Sequence, residues 1–152
     1  MNYIEKISLD ENALIRGENN KRDRDRIITD LLESSCLSPV ASNLKGPFGL
    51  KISIVSNKIM ICVEGSCGLF TDVEFSLAPL KRIIKDYSII CESYFDAVRD
   101  AEPRKIEAID MGRRGAHNEG AEILQEQINS KLDVDFETAR KIFTLIYLLQ
   151  EK

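Results

Sequence analysis

The chain has 152 residues, of which 43% are hydrophobic and 30% charged; these are the proportions of one soluble globular domain, and residues 1–152 read as a single unit. A formal net charge of -4 argues against broad binding to nucleic acid or to an anionic membrane, and no apolar run approaches the length of a membrane span. The opening MNYIEKISLDENALIRG mixes charges among its apolar residues and lacks the continuous apolar core of a signal peptide, so a cytoplasmic location is expected.

Tyr3 to Leu9 alternates well enough for a short strand, which Asp10-Glu11-Asn12 should end. Asn19 to Ser35 reads as a helix with Ile27, Ile28, Leu31 and Leu32 on a narrow apolar stripe. Its preceding run, Lys21 to Arg26, alternates in sign and fits a solvated helix start. Cys36 to Gly49 holds Pro39 and Pro47 and is expected to be the longest loop. From Leu50 the period changes to two. Leu50, Ile52 and Ile54, then Ile59, Ile61 and Val63, then Val73, Phe75 and Leu77 predict three strands. Turns at Ser56-Asn57 and Gly65 to Gly68 join them into an antiparallel meander with one apolar face.

Pro79 to Arg99 places Leu80, Ile83, Ile84, Tyr87, Ile90, Cys91, Tyr94 and Val98 at helical spacings. Ile89 and Phe95 widen that stripe, which predicts burial on more than one side, and Ala78 would be the N-cap. Two further helices are expected at Arg104 to Met111 and Asn118 to Lys131. Phe136 to Gln150 is apolar nearly all round and should be central, with Asp135 as its N-cap. The fold class is therefore α+β: an antiparallel β-meander packed on one face by a long central helix, with a C-terminal helical portion.

Chemistry concentrates in one stretch, Ile109 to Gly120, which holds three glycines, paired arginines and the only histidine. Read as a loop between two helices, it makes Arg113, Arg114, His117 and Asn118 candidate ligand-binding residues. Two guanidiniums beside a helix N-terminus suit a phosphate or carboxylate. The competing reading is a helix connection in which Gly112 stops one helix and Asn118 caps the next. His117 is also a weak candidate for an acid or base in an enzyme acting on a phosphorylated small molecule. A helix, a short link at 132–135 and a second helix resemble a helix-turn-helix, which makes a DNA-binding regulator a further alternative; the acidic charge disfavours it. Cys36, Cys62, Cys67 and Cys91 lack metal-binding spacing, and with one histidine no metal site and no cofactor are expected. Partners are thus an unknown protein or a small anionic ligand, with no membrane and no defined oligomeric state.

The strings IIKDYSIICESYFDAV, KIEAIDMGRRGAHNEGAEIL and KLDVDFETARKIFTLI resemble uncharacterised protein family 0262 of alphaproteobacteria, with weaker likeness through DRDRIITDLLE and GPFGLKISIV. The resemblance implies a cytosolic bacterial protein of this length. It carries over no catalytic or binding residue. Where the family places Thr-Pro before the long helix, this chain has Ala78-Pro79.

Overall fold

The computed structural model describes residues 2–9, 18–40, 43–100 and 102–150; the turn expected at Asp10-Glu11-Asn12 lies outside them. The elements run β1 (Ile4–Leu9), α1 (Glu18–Glu33), β2 (Leu37–Pro39), β3 (Phe48–Val55), β4 (Lys58–Glu64), β5 (Phe70–Ser76), α2 (Ala78–Asp100), α3 (Pro103–Ile128), β6 (Leu132–Val134) and α4 (Phe136–Gln150). The class is α+β.

Alternation builds the meander. Ile59, Ile61 and Val63 of β4 point inward and are fully buried, while Lys58, Met60 and Glu64 face out. Ser56 and Asn57 both take positive φ, 50° and 66°, which is the twist a two-residue hairpin needs, and β3 and β4 pair antiparallel from Gly49↔Glu64 to Val55↔Lys58. β5 continues the sheet on the other side of β4. β1 then adds in parallel to β3, so the four-stranded sheet has the order β1-β3-β4-β5 and is mixed, where the alternation had defined only its antiparallel part.

A second, two-stranded sheet pairs β2 with β6, at Leu37↔Val134 and Pro39↔Leu132. It occupies two segments read as a loop and as a helix link. Three residues are too few for a period of two to stand out. The helix-turn-helix reading loses its tight turn here: the link at 132–134 is a strand, and Thr138 at the start of α4 is buried.

α4 is the most enclosed helix, with Phe143, Leu145 and Ile146 at 0% exposure. Asp135 caps it as expected: its carboxylate accepts from the Thr138 N–H at 3.0 Å and its carbonyl from the Ala139 N–H at 3.0 Å. α2 enters the same core through Leu80, Ile83 and Tyr87. Its far half is less enclosed, with Ile90 and Cys91 partly buried and Ala97 buried. Ile89 and Phe95 are 53% and 65% exposed, so burial on more than one side is corrected to burial along one face. The N-cap also shifts by one residue. The Leu77 carbonyl accepts the first helical bonds, and the Ser76 hydroxyl accepts from the Ala78 N–H at 3.1 Å.

The largest correction concerns Ile109 to Gly120. The two helices expected on either side of it form one continuous helix, α3, of 26 residues. A glycine in a helix interior disfavours the helix by about 1 kcal/mol relative to alanine. Packing overrides that preference, because α3 lies against both α2 and α4. Gly120 is required by this contact, since a Cβ there would fall 2.4 Å from ring carbons of Phe143 on α4.

A cleft between four helices as the candidate functional site

Helical continuity reorganises the candidate residues. Arg113 and His117 lie four apart and so share one side of α3, while Arg114 and Asn118 form a neighbouring strip turned further outward. The structure therefore divides the four into two pairs.

The inner strip faces a cleft of 430 Å³ between α1, α2, α3 and α4, which Arg113 lines. Tyr87, Cys91 and Tyr94 repeat along α2 at spacings of four and three, which brings all three to one wall with Phe95 at the rim. α4 supplies Thr144, Tyr147 and Leu148, and α1 supplies Asp23, Arg26, Ile27 and Asp30. Arg113 is the residue of α3 that reaches it.

Arg113 is held from two directions. Its Nε donates to Asp110 Oδ1 at 3.1 Å and Nη2 donates to the same oxygen at 2.5 Å. The guanidinium carbon sits 4.9 Å from the centroid of the Tyr94 ring, within cation–π range. Burial works against the Arg113 charge, yet the Asp110 carboxylate and the nearby Tyr87 hydroxyl hold its pKa above the ordinary value. Asp110 correspondingly sits below its usual range, first through the hydrogen bond from Arg113. A guanidinium carries five N–H donors in a planar fork, so anchoring to one carboxylate oxygen leaves donors for the cleft.

Arg114 also pairs with Asp110, through Oδ2 at 2.9 Å, but its side chain is 68% exposed against 33% for Arg113. The adjacent arginines share a partner and differ in environment. Asn118 is half-buried on the outer strip.

His117 lies beneath the cleft wall, where its ring stacks on Tyr87 at 5.4 Å between centroids and 19° between planes. An arginine can only donate, so the 3.2 Å contact from Arg140 Nη2 makes His117 Nδ1 an acceptor. The proton therefore resides on Nε2, which lies 2.7 Å from Thr144 Oγ1 and 3.0 Å from the Arg140 carbonyl. Thr144 in turn donates to that carbonyl at 3.0 Å. Burial and the Arg140 charge lower the His117 pKa to about 4, leaving a neutral ring at pH 7 with both nitrogens engaged inside the protein. Tyr87 is pushed up to about 12 by burial and then by the Cys91 thiol, so its hydroxyl keeps its proton. The network clamps α2, α3 and α4 around a rigid aromatic wall.

Sequence reasoning found Arg113 and His117 but missed Tyr87, Tyr94, Arg140 and Thr144 as their neighbours. The spacing of four from Arg140 to Thr144 was visible; that it meets the same spacing from Arg113 to His117 depends on the packing of α3 on α4. Another groove, beside β6, is lined by Glu122, Glu126 and Asp133, whose charge opposes an anion. Among the described residues no group of histidine, cysteine, aspartate or glutamate side chains could hold a metal ion.

Comparison with known proteins places the chain in a family. The uncharacterised protein family UPF0262 matches residues 1–152. A UPF0262 protein of Nitrobacter hamburgensis is 46% identical over 154 residues, covering 99% of this chain and 93% of its own. One from Bradyrhizobium diazoefficiens is 45% identical over 153 residues, with the same coverage of 99% and 93%. One from Chelativorans sp. is 44% identical over 145 residues, covering 94% and 89%. No solved structure matches the chain. The match over every residue and the identity to these relatives show that the chain belongs to the UPF0262 family.

Proposed function

We propose that the protein is a binding module for a small amphipathic anion, a carboxylate or phosphate ester on an apolar or aromatic body, seated in the cleft between the four helices. One observation carries this reading: Arg113, fixed by Asp110 and Tyr94 in a half-buried position, lines a space walled by aromatic rings. The head group would meet the guanidinium, and the body would lie along Tyr94, Tyr147 and Leu148. Asp23 and Asp30 at the α1 side offset Arg26, so the rim does not attract anions broadly. Selection falls to one recessed cation and apolar contact. Arg114 and Asn118 serve as outer strip residues, and His117 acts as a positioning group through Tyr87.

Thermal melting with inorganic phosphate, benzoate and phenyl phosphate tests the reading on the wild type, Arg113→Gln and Arg114→Gln. A ligand at ten times its dissociation constant stabilises the folded state by about 1.4 kcal/mol. Benzoate or phenyl phosphate should raise the melting temperature of the wild type and of Arg114→Gln, and leave that of Arg113→Gln where it was. Inorganic phosphate, having no apolar body, should do less. Equal shifts in all three proteins, or none in any, would contradict the reading.

A further inference from the structure

Recognition of an anion in the cleft falls to side chains, because each residue that lines it sits beyond the first turn of its helix. The lining starts at Asp23 in α1, at Tyr87 in α2 and at Thr144 in α4, with Arg113 alone from α3. Backbone N–H groups at such positions are spent on the carbonyl four residues back. Thr144 donates its hydroxyl to the Arg140 carbonyl. What the lining offers an anion is therefore the Arg113 guanidinium and tyrosine hydroxyls, with the exposed Arg26 on the α1 side.

Formal charge in the lining cancels: Arg26 and Arg113 stand against Asp23 and Asp30, and α2 and α4 contribute no charged residue. Behind the lining, Arg114 balances Asp110 and Arg140 balances Glu137. Arg24 adds one cation. It follows Asp23 in α1, is 6% exposed, and its Nη1 has no hydrogen-bond partner among the described residues. One negative charge balances that excess, and two overrun it. A phosphate monoester carries close to two charges and three acceptor oxygens, and its sites draw on helix N-terminal amides or clustered arginines. A carboxylate carries one charge and two coplanar oxygens, which suit a guanidinium fork. Asp110 takes the Nε–H and one Nη2 N–H of Arg113, so three of its five donors stand outside those two bonds. Taking the cleft as the binding site, as proposed above, we infer that its ligand is a monocarboxylate on an apolar body and that phosphate esters are selected against.

Isothermal titration calorimetry at pH 8 and constant ionic strength tests the choice with benzoate and phenyl phosphate, which share one ring. At that pH phenyl phosphate is a dianion, since its second ionisation lies at about pH 6. The wild type should bind benzoate about tenfold more tightly or better, with phenyl phosphate saturating the same cleft at higher concentration. Arg113→Gln should bind neither. Asp30→Asn removes a lining carboxylate and should tighten phenyl phosphate more than benzoate, because the dianion gains about twice as much from the lost repulsion. Asp23→Asn, at an exposed position, should do the same. Phenyl phosphate that binds the wild type as tightly as benzoate, and is lost in Arg113→Gln, would overturn the monocarboxylate and leave the cleft reading standing. A gap that neither aspartate variant narrows would overturn it too, since charge would not be the selector. If neither ligand binds the wild type, the cleft reading fails and the inference fails with it.

Discussion

His117 shows how a residue chosen for its chemistry can be fixed by its surroundings. Its ring is sandwiched against Tyr87 and both nitrogens are spent on Arg140 and Thr144. Burial lowers its pKa to about 4, against about 6.5 in the unfolded chain. Between those values the unfolded state binds the proton and the folded state does not, so stability falls as pH drops from 6.5 towards 4 and is fully present above 6.5. The depression corresponds to roughly 3 kcal/mol as an order of magnitude. His117→Gln cannot titrate. Urea denaturation of this variant should show a clearly flatter pH dependence of stability between 6.5 and 4 than the wild type, while at pH 7 it should be less stable through the lost ring stack. Equal slopes for the two proteins in that window would show that His117 is not held neutral. The Arg113–Arg114 pair carries a related lesson. The sequence treats the two as equivalent candidates, although adjacent side chains on a helix diverge. Arg113 is the more anchored, yet Asp110 holds both, one on each oxygen.

At the scale of elements, the strands of the meander were legible because alternation is local: Ile59, Ile61 and Val63 announce their own face. The Asp135 cap was legible for the same reason. α3 was not, because Gly112, Gly115 and the His117-Asn118 pair carry turn chemistry, and what overrules it lies elsewhere in the chain. Phe143, 23 residues after Gly120, fills the space that a side chain at 120 would need. The same blindness hid the β2–β6 pair, whose partners are more than 90 residues apart. This account separates the glycines by substitution. Gly120→Ala should destabilise the protein by about 1–3 kcal/mol, since the buried Phe143 ring must move. Gly112→Ala meets open space and should stabilise the folded chain by about 0.5–1 kcal/mol. Chemical denaturation of both decides it. If Gly120→Ala proved as stable as Gly112→Ala, the close packing of α3 on α4 would be wrong.

Across the whole molecule, the sheet is the scaffold and the helices wall the cleft. The α+β class and the apolar faces could be read in advance, since they follow from periodicity. The cleft could not, because its four walls come from α1, α2, α3 and α4, and only their packing brings Asp23, Tyr94, Arg113 and Tyr147 together. No helix among the described residues is long and apolar enough to cross a membrane. With a net charge of -4, the long-range field repels anions, so a bound anion must be held by short-range contact with a recessed guanidinium and apolar walls. The most direct test is a titration with phenyl phosphate followed by NMR of the arginine side-chain Nε–H groups and the backbone amides. The account predicts that the Arg113 Nε–H signal moves together with the amides of Cys91, Tyr94 and Thr144, all along one saturating curve, while Arg82 and Arg114 stay still. Shifts spread over the exposed arginines without saturation, or an unmoved Arg113 signal, would contradict it.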